Sequence, residues 1–175
     1  NGLRGVAFPA QLHLLRRFKH KRNAARGCQI LGVSLTRQDT ISAFLEADLL
    51  LFPSWIECSP LVLFEAAASR TPFLVTDVGN AAEIIRWTGG GRLLPGVRSN
   101  DREGSVLADV EAGARCLDAL MADGAARERM ASQAHQAWRQ YFTWSRITDQ
   151  YESLYTSLLS GHSIQSRFLP PPSIQ

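Results

Sequence analysis

The chain has 175 residues, 45% hydrophobic, 20% charged and 9% aromatic, with a net charge of +3, which fits one soluble globular domain able to bury a core. No apolar run approaches the ~18–20 residues of a membrane span, so a transmembrane helix is excluded. The three cysteines (Cys28, Cys58, Cys116) form no C-x-x-C pair, and no D-x-D, H-E-x-x-H or G-x-S-x-G pattern occurs, which leaves disulfide-framework, zinc and serine-hydrolase readings without support.

The charge is uneven along the chain. Residues 1 to 26 carry seven Lys/Arg and no Asp/Glu, whereas the remainder carries twelve basic against sixteen acidic residues. One helix is expected around "PAQLHLLRRFKHKR", and its basic cluster "RRFKHKR" (16–22) reads either as a solvated helix face or as a peripheral contact with an anionic membrane surface. Aromatics are not interleaved with these charges as in a single-strand binder, so no nucleic-acid partner is expected. With no signal peptide, Asn1 in first place and reduced thiols, the expectation is a cytoplasmic fragment or processed piece.

From residue 28 short apolar runs alternate with helical patterns. "CQILGV" reads as a strand ending at Gly32, and "TRQDTISAFLEA" as a helix capped by Thr36 with Ile41, Phe44 and Leu45 on one face. "DLLLF" (48–52) is a continuous apolar run, as in a parallel strand covered on both faces. "PLVLFEAAAS" is a helix, "PFLVT" a strand, "AAEIIRW" a helix and "GRLLP" a last short strand after the turn "TGGG". This is the rhythm of βαβ units and predicts an α/β fold with a Rossmann-like parallel sheet flanked by helices. Only about four strands are countable, fewer than the usual five or six, so further strands are expected before residue 1.

Beyond residue 100 the pattern is helical. "SVLADVEAGARCLDALMADG" has Val106, Val110, Leu117 and Leu120 at helical spacing, and "AARERMASQAHQAWRQYF" and "TWSRITDQYESLYTSLL" read as two more helices. The tail 161–175, with three consecutive prolines, reads as extended or disordered, leaving 1–160 as the domain.

The chemistry centres on "PSWIECSPLVLFEAAAS" (53–69), which holds Glu57 and Glu65 with seven residues between them. Ser59 suits an N-cap and Pro60 the first helical position. The helix start would then point its unpaired N–H groups into the loop at a strand's carboxyl end, where open parallel sheets bind anions, which predicts an anion site near Ser59, Pro60 and Leu61. Glu65 is the only charge from Cys58 to Ser69. It either faces solvent, as mid-helix glutamates often do, or accepts hydrogen bonds from paired hydroxyls such as those of a ribose. Glu57 either caps something local or faces the same ligand. Asp77 is a turn residue or a second cleft carboxylate. Gly79 reads as a backbone requirement, "GGG" (89–91) as a turn, and Cys58 as a small packing residue. His13, His20, His135 and His162 read as surface residues and the four tryptophans as core.

"ADLLLFPSWIECSPLVLFEAAASRTPFLVTDVGNAAEII" resembles the signature region of the group 1 (family 4) retaining glycosyltransferases, two-domain enzymes of the GT-B type. A strand ending in Pro-Ser, a Glu, seven residues, a second Glu, a small-residue turn, a strand and "TDVGNAAE" (76–83) follow in the family's order. The similarity runs from about residue 28 to 95 and more loosely through "FTWSRITDQYESLY".

The resemblance implies the C-terminal, donor-binding domain of such an enzyme. Glu65 would bind the donor's ribose hydroxyls and Glu57 would lie at the donor sugar and its phosphates as the catalytic carboxylate. The helix start at Ser59, Pro60, Leu61 and Val62 would meet the pyrophosphate or sugar through its backbone N–H groups, Pro60 having none, and Val33 would meet the base. It further implies a nucleoside diphosphate sugar as donor, no cofactor or metal, and a glycan or lipid-linked acceptor held by an N-terminal domain outside this chain. Two departures stand out: no "G-R…K-G" phosphate-binding segment is visible, and Cys58-Ser59-Pro60 replaces the family's Phe/Tyr-Gly after the first Glu. A nucleotide-sugar epimerase, an inactive nucleotide-sugar-binding or scaffold domain, and a flavodoxin-like signalling domain are the rival readings.

Overall fold

In the computed structural model, which describes residues 33 to 160, the chain divides into two compact units, Asn1–Asp48 and Leu49–Gln175. The basic helix, the residues 28–32 of the first expected strand and the tail from 161 lie outside the described residues. Val33, expected in the loop after that strand, is half-buried and in no regular element.

The described part of the first unit is helix α1, Arg37–Glu46. Thr36 caps it as expected: its Oγ1 accepts from the Asp39 N–H at 3.2 Å, while the Thr36 N–H donates to Asp39 Oδ2 at 3.4 Å. This is a reciprocal capping box, with Asp in the place usually held by Glu or Gln. The helix buries no residue fully, its larger apolar side chains Ile41, Phe44 and Leu45 forming only a narrow stripe.

The second unit is built on a parallel sheet of three strands in the order β1 (Leu50–Phe52), β2 (Phe73–Val75), β3 (Gly91–Leu93). Leu50 pairs with Phe73 and Phe73 with Gly91. Each strand matches an apolar run of the sequence. Every residue of β2 is buried, whereas β1, the run expected to be covered on both faces, is half-buried at Leu50 and Phe52 and exposed at Leu51. Helix α2 (Val62–Ala68) joins β1 to β2 and buries Leu63, Ala66 and Ala67. Helix α3 (Ala81–Thr88) joins β2 to β3 and ends at Gly89, whose φ of +63° makes the left-handed turn out of the helix. The next two glycines answer to packing: a Cβ on Gly90 would lie 2.6 Å from Ala134 Cβ, and one on Gly91 would strike the Phe73 ring. "GGG" is therefore a helix stop followed by two positions with no room for a side chain.

Past β3 the single helix expected over 105–124 is broken. Strands β4 (Gly96–Arg98) and β5 (Val106–Ala108) pair as an antiparallel hairpin, and helix α4 (Val110–Ala122) starts only after Asp109. Asp109 Oδ1 accepts from the Ala112 N–H at 2.9 Å, so the cap fixes the helix start four residues later than Val106. Helix α5 (Gly124–Ala137) continues into one π-helical turn at Trp138–Phe142, and Thr143 caps the last helix, α6 (Trp144–Leu159). Leu74 of β2 packs with Leu94, Leu120 of α4, and Ala126 and Met130 of α5.

Two side-chain expectations change. His135 is half-buried, its Nδ1 3.0 Å from the Ala68 carbonyl and its ring stacked on Trp138, because α5 packs against α2. None of the four tryptophans is fully buried, and Trp144 is 83% exposed. A large ring with one polar edge often keeps part of its surface in water.

Candidate functional site

The carboxyl ends of β1 and β2 meet at the loop 53–61, which carries Glu57. Four contacts fix it. Thr76, buried just past β2, donates its hydroxyl to the Ser54 carbonyl. Ser54 Oγ in turn donates to Glu57 Oε1 at 2.8 Å. The Asn80 N–H donates to the Cys58 carbonyl at 3.2 Å, and the Val106 N–H of the hairpin donates to the Trp55 carbonyl at 2.8 Å. Glu57 thus sits half-buried with one carboxylate oxygen held, in a loop tied to both neighbouring chain segments.

Gly79 closes the arrangement. Its φ is +53°, and a Cβ there would overlap the Cys58 carbonyl oxygen and lie 2.9 Å from that of Glu57. The backbone requirement expected of Gly79 is real, and its cause is the close approach of "TDVGN" to the Glu57 loop.

Together these segments wall a cleft of about 590 Å³ lined by Glu57, Cys58, Asp77, Gly79, Arg98 and Glu103, among others. Asp77 therefore faces the cleft, where its Oδ2 is 3.5 Å from Arg98 Nη2. Cys58, expected to pack, is exposed at the lining, and its carbonyl is the part that holds structure. The cleft has three carboxylates against one guanidinium. Arg98 and Glu103 escaped the sequence reading because both lie on the hairpin it missed. The signal was present: "SNDREG" is a turn cluster between two valine-bearing runs.

The helix start differs from expectation. Ser59 is exposed and caps nothing, and Leu61, already helical at φ −57° and ψ −25°, stands at the N-cap with no side-chain bond. The chain enters α2 through a tight turn, with the Leu63 N–H on the Pro60 carbonyl at 3.1 Å, and the helix starts two residues later than a serine cap would set it. Pro60 is buried, Leu61 exposed and Val62 half-buried. Glu65 is half-buried and falls in the first turn of α2, closer to the positive end of the helix than the sequence suggested. Ser59, Pro60, Leu61, Val62 and Glu65 are not in the lining of this cleft, and Val33 belongs to the other unit. Among the described residues no group of three or more His, Cys, Asp or Glu could hold a metal ion, and no helix is long and apolar enough to cross a membrane.

The family model described as "Glycosyl transferases group 1" matches residues 9–123. The chain belongs to the group 1 glycosyltransferases. Among curated relatives of this group 1 chain, the D-inositol 3-phosphate glycosyltransferase of Streptomyces bingchenggensis is 30% identical over 167 residues, covering 90% of this chain and 31% of the relative. Its namesake from Streptomyces griseus is 32% identical over 124 residues, covering 71% of this chain and 24% of the relative. The chain therefore spans less than a third of the length of either. In fold, the sucrose-phosphate synthase of Thermosynechococcus elongatus superposes with a TM-score of 0.65 at 21% identity, covering 86% of this chain and 34% of that one. The C-terminal domain of a group 1 family glycosyl transferase from Francisella tularensis does so at 0.56 and 20%, covering 79% and 67%. The fold is GT-B-like, a parallel sheet flanked by helices, as the sequence led us to expect.

Proposed function

We propose that this chain is the donor-binding half of a retaining glycosyltransferase of family 4. It would take a sugar from a nucleoside diphosphate sugar to a glycan or lipid-linked acceptor held by a domain outside these residues. The observation that carries the reading is Glu57: a half-buried carboxylate at the carboxyl edge of a parallel sheet, facing an open cleft and held by Ser54 at 2.8 Å. A carboxylate fixed in this way accepts hydrogen bonds from sugar hydroxyls and balances positive charge developing on the sugar as the bond to the diphosphate breaks. Glu65, in the first turn of α2, accepts the ribose hydroxyls in this reading. The N–H groups of Ser59, Leu61 and Val62, with the Pro60 turn that presents them, meet the phosphates or the sugar. The chemistry needs no metal and no cofactor in this reading. The protein works in the cytoplasm, with peripheral membrane contact where the acceptor is lipid-linked.

Calorimetry against UDP, GDP and ADP, with Glu65→Ala alongside, tests it. One nucleotide binds best, and Glu65→Ala weakens it about tenfold, the effect of losing a charge-assisted hydrogen bond. Equal affinity in the variant would sink the ribose role. Absence of binding to any of the three would favour a scaffold domain without turnover.

A further inference from the structure

The cleft poses a charge problem. A nucleoside diphosphate sugar brings two phosphate charges to a lining that already holds Glu57, Asp77 and Glu103. Like charges in a partly dehydrated cleft repel unless a cation intervenes. Among the described residues the lining offers one, Arg98.

The geometry points to Arg98 as a diphosphate-binding residue of this domain, held ready by Asp77 and carried by the β4–β5 hairpin. This rests on the donor-site reading above. Arg98 ends β4, paired with Val106 of β5, and the Val106 N–H is bonded to the Trp55 carbonyl in the Glu57 loop. The hairpin that carries the guanidinium is therefore tied to the loop that carries the carboxylate. The Arg98 side chain is 73% exposed, and its contact with Asp77 is a single one at 3.5 Å. A guanidinium has five N–H donors in a planar fork, so most remain open for phosphate oxygens. An exposed pair of this kind is weak and a dianion displaces it readily. Asp77 then plays two parts: it keeps the guanidinium over the cleft, and it competes with the incoming phosphates.

The two residues consequently have opposite effects on binding. Titrations of the full chain with UDP, GDP, ADP, their nucleosides and inorganic pyrophosphate, at low and high salt, read them out. Arg98→Ala weakens the tightest diphosphate and pyrophosphate by about ten- to a hundredfold and flattens the salt dependence. It leaves nucleoside binding unchanged. Arg98→Lys recovers part of the loss, since the charge remains without the fork. Asp77→Asn tightens diphosphate binding a few-fold. Thermal melts of all three variants stay near the wild type, as expected for exposed side chains. Unchanged diphosphate affinity in Arg98→Ala overturns the proposal and leaves the donor reading standing. Weaker binding in Asp77→Asn as well makes the pair structural and overturns it too. Pyrophosphate binding that depends on Arg98, without binding of any nucleotide, upholds Arg98 and removes the donor reading. Binding of neither probe by the wild type overturns both.

Discussion

Gly79 lies directly on the Cys58 carbonyl, at a φ of +53° and with no space for a Cβ. The Asn80 N–H bonds the same carbonyl at 3.2 Å. One turn after β2 thereby sets the position of the loop that holds Glu57. Gly79→Ala combines left-handed backbone strain with an overlap against main chain, and costs about 2 kcal/mol or more. Thermal unfolding should fall by several degrees, with weaker ligand binding at the cleft as the loop is pushed away. A melt equal to the wild type would remove the clasp.

Glu57→Gln separates chemistry from stability. The amide oxygen still accepts from Ser54, so the melt stays within about 0.5 kcal/mol of the wild type. Sugar transfer by the intact protein falls on the order of a hundredfold, because the neutral side chain no longer stabilises developing positive charge. Ser54→Ala has the reverse profile, losing about 1 kcal/mol with the hydrogen bond and a smaller part of the activity. Paired melts and rate assays on both variants check this.

Arg70 ends the turn after α2 at a φ of +59°, the one non-glycine residue with positive φ among those described. The Thr71 N–H bonds the Ala66 carbonyl and the Arg70 N–H that of Ala67, a left-handed helix stop normally made by glycine. Arg70→Gly removes the strain and stabilises by about 1 kcal/mol, less whatever the contact to Ser132 contributes. Arg70→Ala keeps the strain and loses that contact, so its melt should not rise. A glycine variant that melts lower than the wild type would contradict this.

Arg127 closes the end of α4 from the next helix: its Nη1 donates to the carbonyls of Leu120 and Met121. The Leu120 carbonyl also takes the Asp123 cap N–H at 3.3 Å, and the guanidinium sits at the helix's negative end. Arg127→Ala costs about 1–2 kcal/mol. Leu120→Ala, at a fully buried position in the core beside Leu74, costs about 2–5 kcal/mol. Denaturant titrations rank the two, and the leucine variant should show the larger loss.

Much of the fold was legible where local chemistry acts alone. Thr36 and Asp39 lie three apart and cap α1 without help from elsewhere. The runs at 48–52, 72–76 and 91–95 became the three parallel strands, although only β2 is covered on both faces and Leu51 of β1 and Leu93 of β3 stay exposed. The hairpin was not legible. Val106 and Val110 stand four apart, a spacing that fits a helix, and the strands are too short to display alternation. The Asp109 cap was the local signal that divides them. The wide turn at Trp138–Phe142 leaves no periodic mark, and its Phe142 ring meets Phe64 and Trp87 from two other helices.

By itself the sequence determined the order of strands and helices as far as β3, the pair of glutamates with seven residues between them and the special backbone of Gly79, since each depends on residue type and spacing along the chain. Tertiary structure alone decided what surrounds Glu57. Asp77 follows it by twenty residues, and Arg98 and Glu103 by more than forty. They share its cleft only because parallel strands bring their carboxyl ends to one edge and a hairpin folds back over that edge. It also decided that Ser59 caps nothing, since the helix begins only after Leu61. Spacing specifies what lies within one turn of a residue; the company a carboxylate keeps across a cleft depends on chain reversals that local patterns do not record.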